Sequence, residues 1–410
     1  MHLAIVSPFP PNITGIGQYG YRVSGALARS GAFDRITLLT EVSPDAKSVQ
    51  GWNGITVERI WRRDRVNVGW QVTARLLQLR PDVVWYNIGA SVFGRTPWAN
   101  LSGLLSPMLI QLAGQPSVVT LHEVVEQADL HALEAPGGPL AAWGARLLTF
   151  LTTRTDVVCV TLRRYADWLK ERAPRRGAAV EHIPLSAYDP PEVLPESGGQ
   201  ELLIFATFTP YKGLELLLDA FRELRTRYPT LRLTVAGAEH PRFPGYVDSL
   251  RNSFGNHPAI RWLGYVPEPA LRDVFSRAAL VVLPYTAATG SSSVLHRAVA
   301  WGRPVVLSDL PEMRAVVEEE NLRAEFFASG DRNGLFAAVE RLLADSSLRT
   351  AQAHHNYQAT LRMTLEDTCR AYLRAFALAI SLHRGAHAYV EPTDMARASP
   401  AIQLRNQEVR

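Results

Sequence analysis

Short apolar runs alternate along the chain with longer stretches of helical periodicity. In the first half, residues 3–7, 36–41, 55–60, 82–86, 117–121, 157–161 and 180–184 read as strands, most of them continuously apolar. That pattern fits strands covered on both faces. Helical spacing over 17–29, 140–153 and 163–172 separates many of them. A second series predicts strands at 202–206, 231–236, 260–263, 280–284 and 304–308, with helices at 214–227, 268–277, 294–301 and 332–343. A long helical pattern from about 348 to 383 closes it. The repeated strand–helix–strand order predicts an α/β protein with two doubly wound parallel sheets in series.

Between the two series lies SAYDPPEVLPESGGQ, residues 186–200, which is rich in Pro, Gly and acidic residues and reads as a linker. The predicted domains are therefore 1–185 and 201–365. Residues 366–383 are expected to form a helix returning toward the first domain, and 384–410 a loop-like tail. Ligands of open parallel sheets sit beyond the carboxyl ends of the strands. A cleft between two such domains is thus the expected site.

Composition narrows the function classes. A net charge of +4 over 410 residues lacks the concentrated basicity of a nucleic-acid binder, so no nucleic-acid partner is expected. Two cysteines give neither a disulfide framework nor a metal-ligand pattern; Cys159 falls in a strand-like run. The first residues show no basic segment or cleavage pattern, so a cytoplasmic location is expected. The uncharged stretch 96–121 contains Asn, Gln and Pro residues and reads as a buried or surface-docked helix followed by a strand. Nearly all the basic residues are arginine; the lysines are Lys47, Lys170 and Lys212.

Four segments carry candidate chemistry. SPFPPNITGIGQYG, residues 7–20, leads from the first strand into a helix. Its Gly15, Gly17 and Gly20 match G-x-G-x-x-G formally, but the proline-rich loop before them is unlike the tight turn of a dinucleotide fingerprint. The segment reads as a Gly-ended loop offering backbone N–H groups, or as a plain connection. VVTLHE, residues 118–123, puts His122 and Glu123 at a strand's carboxyl end, as a site pair or as structural groups. FATFTPYKG, residues 205–213, sets Lys212 before a helix, where an ammonium suits a phosphate oxygen as readily as solvent. LVVLPYTAATGSSSVLHRAVAWGRP, residues 280–304, runs from a buried strand to Gly290, Ser291, Ser292 and Ser293 and into a helix. The first turn of a helix presents unpaired N–H groups and partial positive charge. One serine suffices as a cap; three serines with a glycine favour anion binding.

Together with AGAEH at 236–240 and WLGYV at 262–266, these segments resemble, in order and over nearly the whole chain, the retaining family-4 glycosyltransferases of the GT-B architecture. The resemblance implies two Rossmann-like domains facing a central cleft. It implies a nucleoside-diphosphate-sugar donor, a glycan or lipid-linked saccharide acceptor, and transfer with retention and without a metal or cofactor. It further implies that Gly264, Tyr265 and Val266 meet the nucleobase, that Lys212 and Gly290–Ser293 hold the diphosphate, and that His122 lies beside the transferred sugar. Gly15 and Gly17 also fall on the donor side. An exposed Trp or Leu surface on the mildly basic first domain would suit peripheral contact with the inner face of a membrane. The chain departs from the family at three positions. Thr207 replaces an arginine five residues before the phosphate lysine, and Thr289 and Arg297 replace two glutamates eight positions apart. The site is then rebuilt, with Ser291–Ser293 and Arg297 compensating for Thr207, or takes an unusual donor, or no longer catalyses. Alternative functions are a nucleotide-sugar epimerase, a phosphorylase-like enzyme, or a catalytically degenerate partner subunit.

Overall fold

The computed structural model describes residues 1–11, 14–134, 137–172, 178–195, 200–254 and 257–385. The chain divides into two compact units. One contains Met1–Ala128, Gly137–Pro184 and the chain from Leu365; the other contains Asp129–Pro136 and Leu185–Thr364.

Unit 1 is built on β1 (His2–Val6), β2 (Arg35–Glu41), β3 (Val49–Trp52), β4 (Ile55–Trp61), β5 (Val83–Ile88), β6 (Ser117–Leu121), β7 (Val157–Val160) and β8 (Ala179–His182). Its first five helices are α1 (Gly15–Arg29), α2 (Val68–Leu79), α3 (Pro97–Leu112), α4 (Pro139–Thr152) and α5 (Arg163–Arg172). The sheet order is β3-β4-β2-β1-β5-β6-β7-β8, parallel except for β3 on β4. The central strands β1 and β5 are buried almost throughout, which is why they read as unbroken apolar runs. The antiparallel strand β3 departs from the all-parallel expectation. Its four residues are too short and too exposed to give a strand pattern, but the turn after it is Asn53-Gly54, with φ of 48° and 79°. Asn-Gly between two runs is a hairpin signal.

Unit 2 is built on β9 (Glu201–Phe205), β10 (Arg232–Ala236), β11 (Ile260–Gly264), β12 (Leu280–Leu283), β13 (Val305–Ser308) and β14 (Glu325–Phe327). Its helices are α6 (Leu214–Arg227), α7 (Tyr246–Phe254), α8 (Glu268–Arg277), α9 (Ser293–Ala300), α10 (Pro311–Glu319), α11 (Arg332–Ala344) and α12 (Ser346–Thr360). The sheet is parallel throughout, in the order β11-β10-β9-β12-β13-β14. Leu217, Leu218, Phe221 and Leu224 of α6 and Leu335, Val339 and Leu342 of α11 fill its main core cluster.

The long helical pattern at 348–383 is broken into two helices. α12 ends at Thr360, and α13 (Leu365–Arg384) begins in the other unit. Periodicity cannot register the break, because each half has its own buried face. Gln352 of α12 accepts from Val305 N at 2.7 Å, whereas Tyr372 and Phe376 of α13 pack on Trp85 of β5.

The stretch read as a linker is packed against unit 2 over its described residues. Glu192 N donates to Ala300 O and Leu194 N to Trp301 O. The fully buried Arg303 donates to Leu194 O, Pro195 O and Ala278 O. A buried guanidinium must be paired, and these carbonyls satisfy it. Residues 196–199 and the tail beyond 385 lie outside the described residues.

Candidate functional site

Each sheet has one topological switch point, and most candidate residues lie beside it, whereas Gly264–Val266 follow the edge strand β11. In unit 2 the order reverses between β9 and β12, so the loops after these strands diverge and leave a crevice at their carboxyl ends. The two loops are laced together. Thr286 N donates to Tyr211 O at 2.9 Å, and Gly213, at φ 69°, sits so close to Pro284 that a Cβ there would lie 1.8 Å from its carbonyl oxygen. Only glycine fits between Lys212 and α6.

Lys212 Nζ lies 3.8 Å from the centroid of the Tyr285 ring. Tyr285 is buried, and its hydroxyl bonds Ser292. One aromatic side chain thus ties the lysine to the cap of α9. Among the described residues no carboxylate pairs with Lys212, and burial pushes its ammonium down to about 8. Ser292 caps α9, its Oγ accepting from Leu295 N at 3.4 Å. The hydroxyls of Ser291 and of Thr209, both closed off from solvent, have no partner among the described residues. Two orphaned hydroxyls, a cation without a counter-ion and the start of a helix form an anion-binding arrangement.

His296 supports it from behind. Its Nδ1 lies 2.8 Å from Ser292 O and its Nε2 2.9 Å from Glu320 Oε1. Both partners accept hydrogen bonds, so the doubly protonated ring satisfies the geometry. Burial acts against that charge, but the Glu320 carboxylate and the Ser292 carbonyl outweigh it and raise the pKa.

Arg297, expected to offset the missing cation at Thr207, is buried on α9. Its guanidinium donates to Glu268 Oε2 at 2.9 Å and lies 3.8 Å from Asp189. Its charge is answered inside the protein, as a buried cation requires. Thr207 is exposed in the loop after β9, and Thr289 and Gly290 precede the three serines. Gly264 ends β11 at φ 62°, and its carbonyl accepts from Gly237 N at 2.7 Å. Tyr265 beside it is half-exposed, and Val266 is buried.

In unit 1 the switch point lies at β1 and β5. Ser7, Asn87 and His122 stand at the ends of β1, β5 and β6. Asn87 Nδ2 donates to Ile16 O and Ser7 Oγ, each at 2.9 Å, and its Oδ1 lies 2.6 Å from His122 Nε2. A backbone carbonyl only accepts, so the amide orientation is fixed and His122 carries its proton on Nε2. Nδ1 is then the acceptor of the neutral ring. Tyr19 packs edge-on against the imidazole at 4.8 Å, and burial pushes His122 down to about 4. Glu123 accepts from Ala90 N at 2.8 Å, which fastens the loop after β5. Gly15 and Gly17 open α1 instead of forming a loop of free donors: Gly17 N is bonded to Thr14 Oγ1 at 3.0 Å. Gly20 is required by close approach, since a Cβ would stand 2.2 Å from Ser7 Oγ.

Sequence reading passed over Ser7, Asn87, Tyr285, Glu268 and Glu320. For Asn87 the available signal was a polar residue inside the apolar run VVWYNI. Glu268 and Glu320 gave none, because their partners are distant in sequence.

Residues 199–345 match the family model described as glycosyl transferases group 1. The chain is 31% identical over 220 residues to a GDP-mannose:glycolipid 4-beta-D-mannosyltransferase of Xanthomonas campestris pv. campestris, covering 52% of this chain and 55% of that one. It is 28% identical over 261 residues to a phosphatidyl-myo-inositol mannosyltransferase of Mycolicibacterium smegmatis, covering 58% and 64%. The chain thus spans somewhat over half the length of these curated relatives. Among solved structures it resembles sucrose-phosphate synthase from Thermosynechococcus elongatus, with a TM-score of 0.71 at 16% identity over 92% of this chain and 99% of that one. It also resembles Anabaena Alr3699/HepE in complex with UDP and glucose, with a TM-score of 0.67 at 16% identity and the same coverage. Residues 199–345 thus match a glycosyl transferases group 1 domain, and the chain shares the two-sheet GT-B fold of these solved structures.

Proposed function

We propose that the chain transfers a sugar from a nucleoside-diphosphate sugar to a glycan or lipid-linked saccharide, with retention and without a metal ion. The observation that carries this reading is the arrangement of Lys212 and the start of α9 around Tyr285, an anion site with orphaned hydroxyls and no counter-ion among the described residues. When the bond between the sugar and the diphosphate breaks, the leaving diphosphate gains negative charge. Donors already in place stabilise that transition state more than the ground state. In this reading Lys212 and Gly290–Ser293 hold the diphosphate, and Thr207 and Thr289 flank it. Gly264–Val266 face the nucleobase. His122 remains neutral, and its Nδ1 accepts from a hydroxyl of the transferred sugar. Arg297 acts through Glu268, whose carboxylate it orients.

The relatives named for GDP-mannose and for phosphatidyl-myo-inositol make GDP-mannose the first donor to test and a lipid-linked acceptor at the inner membrane face the first acceptor. The test is a thermal-shift panel of GDP, UDP, ADP and TDP, because a ligand that binds only the folded state raises its melting temperature. One nucleotide is expected to stabilise the chain; no response to any of the four would overturn the reading. Retention is read from the anomeric configuration of the product by NMR. The β-linkage in the name of the Xanthomonas relative makes that measurement the more exposed one. A second reading, a degenerate partner subunit, draws on Arg297 standing paired where the family has a glutamate. Nucleotide binding without sugar transfer would favour it.

A further inference from the structure

Three helices of unit 1 share an unusual composition. α2, α3 and α4 contain no Asp or Glu, and their charged residues are Arg75 and Arg146. They pack tightly along one side. Gly69 N donates to Ser102 Oγ at 3.1 Å and Thr73 Oγ1 to Ser106 Oγ at 3.0 Å. On the outer side, α3 carries Trp98, Leu101, Leu105, Met108 and Leu112 at helical spacing, and α4 carries Leu140, Trp143, Leu147 and Phe150. Trp98, Leu112, Leu140, Trp143 and Phe150 are exposed, and Leu101, Leu105, Met108 and Leu147 are half-buried. Trp98 is 70% exposed, Leu112 75%, Leu140 82% and Trp143 61%, with Trp70 of α2 at 70%. α4 buries only Ala145, Leu151 and Thr152, which reverses the usual burial of a helix's apolar stripe.

An apolar pocket of about 450 Å³ opens on this surface, lined by Val66, Trp98, Leu101, Ser102, Leu105 and Leu151. Exposed arginines flank these helices along the chain. Arg62, Arg63 and Arg65 precede α2, Arg95 precedes α3, and Arg146 stands on α4, all exposed. Arg63 pairs with Glu41 and Arg95 with Asp64, whereas Arg62, Arg65 and Arg146 make no ion pair among the described residues. A contiguous apolar surface of this kind marks an interaction site.

We propose that the α2–α3–α4 face seats on an anionic lipid bilayer, with its tryptophans at headgroup depth, its leucines and Phe150 in the acyl boundary, its arginines on lipid phosphates, and a hydrocarbon chain in the pocket. Tryptophan suits the membrane interface because its ring is amphipathic. No described helix is long and apolar enough to cross a membrane, so the face lies on the bilayer instead of spanning it. Charge selects lipid over a second copy of the chain. Helices without a carboxylate have nothing to offer the arginines of a partner copy, so self-pairing would oppose like charges. The docking rests on this surface and not on the sugar-transfer reading.

The test is co-sedimentation of the full chain with phosphatidylcholine vesicles, with and without phosphatidylglycerol. Binding is expected to the anionic vesicles and to weaken with salt. Trp98→Glu combined with Trp143→Glu is expected to reduce the bound fraction by about tenfold or more. Arg62→Glu with Arg65→Glu is expected to lower binding to anionic vesicles only. Melting curves check that the variants fold, and brominated acyl chains should quench the wild-type tryptophans directly. No sedimentation of the wild type, equal sedimentation of the tryptophan variant, or absence of quenching would overturn the proposal. So would concentration-dependent self-association that the Trp98/Trp143 variant abolishes.

Discussion

The two sheets place their candidate residues by the same rule and give them opposite chemistry. At the end of the unit 1 strands, Ser7, Asn87, Tyr19 and His122 form a hydrogen-bonded, uncharged cluster, and His122 is held neutral. At the end of the unit 2 strands stand Lys212, the start of α9 and the pairs His296–Glu320 and Arg297–Glu268. Topology therefore decides where on each sheet a ligand would sit, and the side chains at the strand ends decide what chemistry it must offer. A neutral acceptor on a fixed ring suits a hydroxyl-bearing sugar, and an unpaired cation beside a helix start suits a phosphate. Fold alone would not separate these roles.

The largest expected effect is at Lys212. Lys212→Ala should lower turnover by about 10²- to 10³-fold, the loss seen when one preorganised transition-state donor is removed. Its melting temperature should stay close to wild type, since a buried ammonium without a carboxylate contributes little to the fold. Full activity in steady-state assays would remove Lys212 from the site. The charge of Lys212 should also be lost from the free protein as pH rises through about 8, so nucleotide affinity measured by calorimetry should fall there.

Next comes the Arg297–Glu268 pair. Arg297→Glu sets two carboxylates together in a buried position and should cost about 3 kcal/mol in denaturant unfolding, with a loss of nucleotide affinity. Adding Glu268→Arg should recover much of the stability. Stability unchanged in the single variant, or no recovery in the double one, would show that the pair does not couple.

The smallest effects separate the two histidines by sign. His122 has a depressed folded pKa, so between about 4 and its unfolded value near 6.5 the unfolded chain binds the extra proton. Its contribution to stability is lost as pH falls through that window. His296 has a raised folded pKa; its contribution is present below 6.5 and lost as pH rises through the folded value. Melting temperatures of wild type, His122→Gln and His296→Gln across pH should therefore diverge in opposite directions. Parallel profiles would remove the contrast between the units.

Much of the architecture was legible because buried parallel strands are continuous apolar runs and helix caps have a residue signature. Ser292 before α9 and Thr96 before α3 are such caps. Strand β3 was missed because four half-exposed residues carry no period, although Asn53-Gly54 marked its turn. The break between α12 and α13 does not show in the periodicity, because a periodic pattern reports that a face is buried and not against what. The docking surface illustrates the same limit. The apolar stripe of α4 is written in the sequence, but its direction toward solvent is not, since amphipathic patterning looks alike whether the stripe meets a core or a membrane.

By itself the sequence determined the order of most elements, many strand ends and the helix start at Gly290–Ser293, because these depend on local spacing and capping. Tertiary structure alone decided that Tyr285 joins Lys212 to Ser292, that Asn87 fixes the proton of His122, and that Arg297 answers Glu268. Most of those partners lie far apart along the chain, and a charge or a proton is settled by what stands within a few ångströms in space.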